Sequence, residues 1–170
     1  MIPTIEWKNG KVFMIDQRKL PFEEVFIEHS GYKDVADSIK KMVIRGAPAI
    51  GVAAAMGVAL GITGMEDNEK EPEAVFDEMV RVLGETRPTA VNLFWALEEM
   101  KKVFNIFRTD IQILKKKILE KALEIKNNDE KINRNIGRIG EVVLNDGDTV
   151  LTHCNAGSLA TAGYGTALGV

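Results

Sequence analysis

Three patterns in the sequence predict a mixed α/β protein. The dipeptide Asn9-Gly10 separates two short strand-like stretches, apolar residues then recur at helical spacing through the middle of the chain, and a strand-like run followed by a small-residue loop comes last. Together they predict a small β-hairpin or three-strand element plus a helical bundle, followed by the truncated start of a Rossmann-like doubly wound domain.

The hairpin comes first. Residues Thr4–Lys8 and Lys11–Asp16 flank Asn9-Gly10, the dipeptide that best accepts the positive φ angles of a two-residue turn. Glu24–Glu28 adds a third strand after the break at Lys19-Leu20-Pro21. The period then becomes helical: Val35, Ala36, Ile39, Met42 and Val43 share one face. Four more helices are expected over Pro48–Ile62, Pro72–Leu83, Thr89–Phe107 and Ile111–Lys126. In the third of these, Ala90, Leu93, Phe94, Leu97, Met100 and Phe104 form the apolar stripe. Asn127-Asn128-Asp129 reads as a break between units, and Ile132–Leu144 as a further amphipathic helix.

Asn145–Asp148 is then a turn, Thr149–His153 a strand, Cys154–Gly157 a loop and Ser158–Val170 an apolar helix. This strand-loop-helix order opens a parallel unit that needs further strands and crossover helices, so the reading expects the natural protein to continue beyond Val170. The expected division is a first domain over residues 1–128 and the first part of a second over 129–170.

Composition narrows the function classes. A net charge of -3, from 22 basic and 25 acidic residues, gives no basic surface for nucleic acid or an anionic membrane. The longest apolar run, Ala49–Ile62, has 14 residues with three glycines, short of the roughly 20 that a bilayer-spanning helix needs. Met1-Ile2-Pro3-Thr4 lacks the basic and apolar order of a leader, which points to the cytoplasm. A single cysteine with His29 and His153 makes neither a disulfide nor a metal set, so no metal and no cofactor are expected. Gly163, Gly165 and Gly169 lie outside any strand-to-helix turn and do not form a dinucleotide fingerprint.

Chemistry is expected at three segments. In Arg45-Gly46-Ala47-Pro48-Ala49-Ile50-Gly51, Pro48 sits in the first turn of a helix, whose free N–H groups and positive dipole end, with Arg45 beside them, suit a phosphate. The same small residues also suit plain close packing. In Arg87-Pro88-Thr89-Ala90-Val91-Asn92-Leu93, a second arginine precedes a helix start with Thr89 as a candidate N-cap, although such an arginine is more often a solvated charge. The third segment is Thr152-His153-Cys154-Asn155-Ala156-Gly157-Ser158, at a strand's carboxyl end, where open α/β sheets bind ligands. A thiol beside a helix amino terminus favours its thiolate, whereas a lone cysteine in apolar surroundings is commonly inert. Alternation sends His153 to the face opposite Cys154, as a structural residue.

These segments, with Asp16-Gln17-Arg18-Lys19-Leu20-Pro21 before them and His153-Cys154-Asn155-Ala156-Gly157-Ser158-Leu159-Ala160-Thr161 at the end, occur in this order along essentially the whole chain. In them the sequence resembles the methylthioribose-1-phosphate isomerase family, relatives of the regulatory subunits of eukaryotic translation initiation factor two B. The resemblance implies that Arg45, Gly46 and Ala47 bind a sugar-phosphate substrate, that Arg87 helps hold its phosphate, and that Cys154 takes part in an aldose–ketose isomerisation. It implies a homodimer as well. The family's catalytic aspartate, substrate-binding glutamine and Asn-Lys pair come later than Val170, so these residues alone are expected to be inactive. Two alternatives stay open: isomerisation of ribose 1,5-bisphosphate, and a non-enzymatic regulatory subunit on the same fold.

Overall fold

The computed structural model describes residues 3–170; the reading of the first residues as lacking a leader rests partly on Met1 and Ile2, outside that range. A three-stranded antiparallel sheet, β1 (Ile5–Lys8), β2 (Lys11–Ile15) and β3 (Phe26–His29), is ordered β1-β2-β3. Lys8 pairs with Lys11 across the turn, and both turn residues have positive φ, Asn9 at 53° and Gly10 at 75°, as the hairpin reading requires. The third strand starts at Phe26, two residues later than expected, and Met14 pairs with Ile27.

Five α-helices follow among the described residues: α1 (Tyr32–Lys40), α2 (Ala47–Thr63), α3 (Pro72–Gly84), α4 (Val91–Phe107) and α5 (Ile111–Gly140). The centre of the molecule is α2. Its residues from Ala49 to Leu60 are all buried, and it touches the other four helices, β1 and β2. A helix apolar on every face has to sit inside such a shell. Around it, Phe76 of α3 stacks on Phe104 of α4 with ring centroids 4.1 Å apart. No helix among the described residues is long and apolar enough to cross a membrane.

The structure departs from the sequence reading at four places. First, α1 stops at Lys40, and Met42 has φ 59° and an exposed side chain, so only Val35, Ala36 and Ile39 of the expected face, with Val43 beyond the helix, are buried. Second, α4 begins at Val91 with Ala90 as its N-cap. Thr89 lies in the preceding turn and is exposed, and Phe94, placed on the apolar stripe, is 43% exposed.

Third, α5 runs unbroken through Asn127-Asn128-Asp129. Its buried stripe of Leu114, Ile118, Ala122 and Ile125 continues one turn at a time into Asn133 and Gly137, and a Lys126–Glu130 ion pair of 2.6 Å spans the expected break. Asn and Asp cost a helix only a fraction of 1 kcal/mol each, which that packing outweighs.

Fourth, Thr149–His153 is exposed coil and Ser158–Val170 forms no α-helix, only single 3₁₀ turns at Ser158–Ala160 and Ala167–Gly169. A parallel strand takes its hydrogen bonds from neighbouring strands, and the described residues supply none beside this segment. Three glycines between Gly163 and Gly169 tax helix formation by roughly 1 kcal/mol each. The segment folds back on α5 instead: the Tyr164 hydroxyl donates to Gly169 O at 2.6 Å, and the Arg134 guanidinium stacks 4.6 Å from the Tyr164 ring centre.

Candidate active site

The first arginine segment enters α2 through Gly46. This residue is the N-cap at φ 102°, and its carbonyl accepts the Ile50 N–H at 2.9 Å. No side chain caps this helix end, and Pro48 occupies its first turn. Arg45 and Ala47 are exposed on either side of the half-buried Gly46. An uncapped helix start beside an exposed guanidinium can take a phosphate.

The second arginine segment enters α4. Ala90 N–H donates to Arg87 O at 2.9 Å, and Leu93 N–H to Ala90 O at 2.9 Å, so residues 87–93 wind directly into the helix. Thr86 is anchored just before them by its hydroxyl, 2.5 Å from Leu83 O. Arg87 is half-buried. The two helix entrances adjoin: a Cβ placed on Gly51, in the second turn of α2, would fall 2.9 Å from the carbonyl oxygen of Asn92.

The third segment reaches the same neighbourhood through its far end. Cys154 is exposed, at φ 66°, in irregular backbone. With no strand here, alternation does not assign faces to His153 and Cys154, and His153 is exposed as well. The expected helix amino terminus beside the thiol is only a three-residue 3₁₀ turn, too short for an appreciable dipole. What meets the first segment is Ala160: a Cβ on Gly46 would lie 2.5 Å from both its Cα and its carbonyl oxygen.

Residues Ser158–Ala162 are held on both sides. Thr4 Oγ1 donates to Ser158 O and Gln17 Nε2 to Leu159 O, each at 2.8 Å, while Ala162 N–H donates to Asp129 Oδ2 at 2.7 Å. Gln17 is itself fixed by its N–H, which donates to Val43 O at 3.0 Å and so ties the sheet to the approach to Arg45. Next to it, buried Asp16 takes a two-pronged ion pair from Arg18, at 2.8 and 2.7 Å, and this guanidinium holds the Asp16 carboxyl below the usual range.

A cavity of about 500 Å³ opens between α2, α4 and α5. Pro48, Val91 and Trp95 give it apolar walls, and Asn92, Asp129, Asn133 and Thr166 give it polar ones; Arg45, Arg87 and Cys154 lie outside its wall. Burial pushes the Asp129 carboxyl above its usual range, although the Ala162 N–H opposes this. Gln17, Asn92, Asp129 and Asn133 received no role in the sequence reading. For the last two a signal was available, because Asp129 and Asn133 continue the α5 stripe one and two turns after Ile125.

Comparison with known proteins gives the chain its family. The profile of the Initiation factor 2 subunit family matches residues 43–170, which is most of the chain. The chain belongs to that family.

Initiation factor 2 subunit family relatives with curated names include the methylthioribose-1-phosphate isomerase of Geotalea uraniireducens, 52% identical over 98% of this chain and 49% of its own length. The protein of the same name from Geobacter sulfurreducens is 54% identical with the same coverage. The chain therefore spans about half the length of the curated relatives it matches. Among solved structures, 5-methylthioribose 1-phosphate isomerase from Pyrococcus horikoshii superposes with a TM-score of 0.89 at 43% identity, over 99% of this chain and 48% of that one. Translation initiation factor eIF-2B, subunit delta, from A. fulgidus superposes with a TM-score of 0.88 at 38% identity, over 99% of this chain and 49% of that one.

Proposed function

We propose that this chain is part of an aldose–ketose isomerase that converts 5-methylthioribose 1-phosphate into 5-methylthioribulose 1-phosphate, a step of methionine salvage. The observation that carries the proposal is the name of relatives that are 52% and 54% identical over nearly all of this chain. The contact of Gly46 with Ala160, and the adjoining entrances of α2 and α4, support it physically.

In this reading Arg45, Gly46 and Ala47 bind the substrate and Arg87 helps hold its phosphate. Phosphorylation at C1 locks the anomeric centre, so an acid must assist departure of the ring oxygen while a proton moves from C2 to C1. Cys154 shares those proton transfers with groups supplied from outside these residues, in a closed site poor in water. Phosphate binding at the two helix entrances supplies energy for orienting the reacting carbons. We assign residues 129–170 to the opening of a second, Rossmann-like unit after a first over residues 1–128, with α5 as a continuous helix shared across that boundary, and we place the protein in the cytoplasm as a homodimer.

The decisive experiment measures turnover of 5-methylthioribose 1-phosphate by the full-length protein and by its Cys154→Ser variant, with ribose 1,5-bisphosphate as a competing substrate. The expected result is turnover of the methylthio sugar, reduced by about 10²-fold or more in the variant. Near-wild-type turnover by Cys154→Ser removes the cysteine from the chemistry. The likeness to the A. fulgidus translation factor subunit favours a second reading, a non-enzymatic regulatory subunit. Turnover separates the two, since that subunit would convert neither sugar.

A further inference from the structure

Asp129 stands in the second half of α5, facing residues 161–165. One carboxylate oxygen accepts the Ala162 N–H at 2.7 Å, and the other accepts from Asn133 Nδ2 at 3.1 Å. The same Asn133 amide donates to Asp129 O at 2.9 Å, and Asn133 is 4% exposed. Gly165 closes over it, since a Cβ there would fall 2.5 Å from Asn133 Oδ1. Within the turn, fully buried Thr161 places its hydroxyl 2.8 Å from Tyr164 O and accepts the Gly163 N–H at 3.3 Å.

A carboxylate suits this position better than its neutral isostere. It accepts on both oxygens, whereas an amide would turn an N–H₂ group toward one of the two donors. Charge-assisted bonds of this kind are also about twice as strong as neutral ones. Two residues before Ala162 lies Ala160, whose backbone meets Gly46 at the entrance to α2. The path from Asp129 to the first arginine segment is thus one hydrogen bond, two residues of chain and one backbone contact.

We infer that Asp129 is a positioning residue: through the Ala162 N–H it fixes the turn over residues 158–165, and so sets where the Gly46 entrance of α2 stands relative to the loop that carries Cys154. Its catalytic consequence rests on the isomerase reading. Asp129 also lines the cavity between α2, α4 and α5. A direct acid or base role is therefore the rival explanation, and the two make different predictions for Asp129→Asn.

The test uses the full-length protein with Asp129→Ala and Asp129→Asn, reading site-resolved amide exchange, kcat and KM. Loss of a hydrogen bond to a charged group predicts that Asp129→Ala speeds exchange at Ala162 by about tenfold or more, with α2 protection unchanged. It also predicts that kcat falls by a similar factor while KM stays close to wild type. Asp129→Asn, which keeps one carbonyl acceptor, recovers part of both. Wild-type exchange at Ala162 in Asp129→Ala overturns the inference, as does an unchanged kcat once that exchange has risen. An Asp129→Asn variant as inactive as Asp129→Ala, with Ala162 still protected, overturns it in favour of direct catalysis. If Asp129→Ala does not fold, Asp129→Asn decides alone: faster exchange at Ala162 above an intact α2 supports the clamp, and wild-type exchange overturns it. Should the wild-type protein turn over no methylthioribose 1-phosphate, the isomerase reading fails, and exchange at Ala162 still decides whether Asp129 holds the turn.

Discussion

Gly46 and Ala160 meet backbone to backbone: a Cβ on Gly46 would fall 2.5 Å from the Ala160 Cα, and Gly46 itself sits at φ 102°. Alanine at position 46 faces both obstacles at once, an unfavourable φ and a rigid neighbour. Its restriction of the unfolded chain works the other way, by only about 0.4–1 kcal/mol. Gly46→Ala is expected to destabilise the fold by about 1–3 kcal/mol net. Urea unfolding measures this, and a variant as stable as wild type would show that the contact is not made.

Gln17 holds the other side of the same turn. Its side-chain amide donates to Leu159 O at 2.8 Å, and Gln17 is only 5% exposed. Gln17→Ala leaves the Leu159 carbonyl without this donor and should cost about 0.5–1.5 kcal/mol of stability. Faster amide exchange over residues 158–162 should accompany that loss, with the hairpin turn at Asn9-Gly10 unaffected. Unchanged exchange across 158–162 would remove Gln17 from the positioning of the turn.

Buried His29 predicts a dependence of stability on pH. The Val12 carbonyl can only accept, so Nδ1, 3.1 Å away, carries the proton, and in the neutral ring Nε2 accepts from the Ser38 hydroxyl at 2.6 Å. Burial lowers the His29 pKa below that of a free imidazole, while the bond to the Val12 carbonyl and nearby Asp34 pull the other way. The unfolded chain therefore binds a proton at a higher pH than the folded one. Stability due to His29 is complete above about pH 6.5 and declines as pH falls from there toward the depressed folded value, by at most about 1.4 kcal/mol per pH unit. His29→Gln should lose this decline between pH 7.5 and 5.5 in urea titrations, taking about pH 6.5 as the unfolded midpoint. An unaltered slope in the variant would assign the decline to other groups.

The hairpin and α2 were legible because their signals are local. Asn9-Gly10 dictates its own turn, and the apolar run of α2 leaves no face for solvent. The continuity of α5 was not legible, because Asn127-Asn128-Asp129 looks like a break until the packing of Ile125 and Asn133 is known. The strand and helix read over residues 149–170 depend on partners that neighbouring residues do not reveal. Of the candidate site, the segments carrying Arg45, Gly46 and Arg87 stand out in the sequence by their places before helix starts, and the structure puts both of those starts at one junction. Cys154 was named, yet the contact that joins its segment to Gly46 runs through Ala160. Gln17 and Asp129 escaped notice because each acts on a backbone group far away in sequence, 142 and 33 residues distant.

That junction can be tested at Gly51, where two effects of opposite sign compete. Within a helix, alanine is favoured over glycine by about 0.5–1 kcal/mol. Here, however, the added Cβ would stand 2.9 Å from the Asn92 carbonyl oxygen and 3.3 Å from its carbonyl carbon. Those are backbone atoms at the start of α4, which cannot rotate away as a side chain can, so relief requires α4 to shift against α2. Overpacking of this kind costs about 1–3 kcal/mol, more than the propensity gain. Gly51→Ala should therefore lower the unfolding midpoint. If the proposed isomerase function holds, it should also raise KM for the sugar phosphate, because the separation of the Arg45 and Arg87 segments is set by the contact it disturbs. A variant with a higher midpoint and unchanged KM would mean that α2 and α4 lie farther apart than the Gly51–Asn92 contact requires.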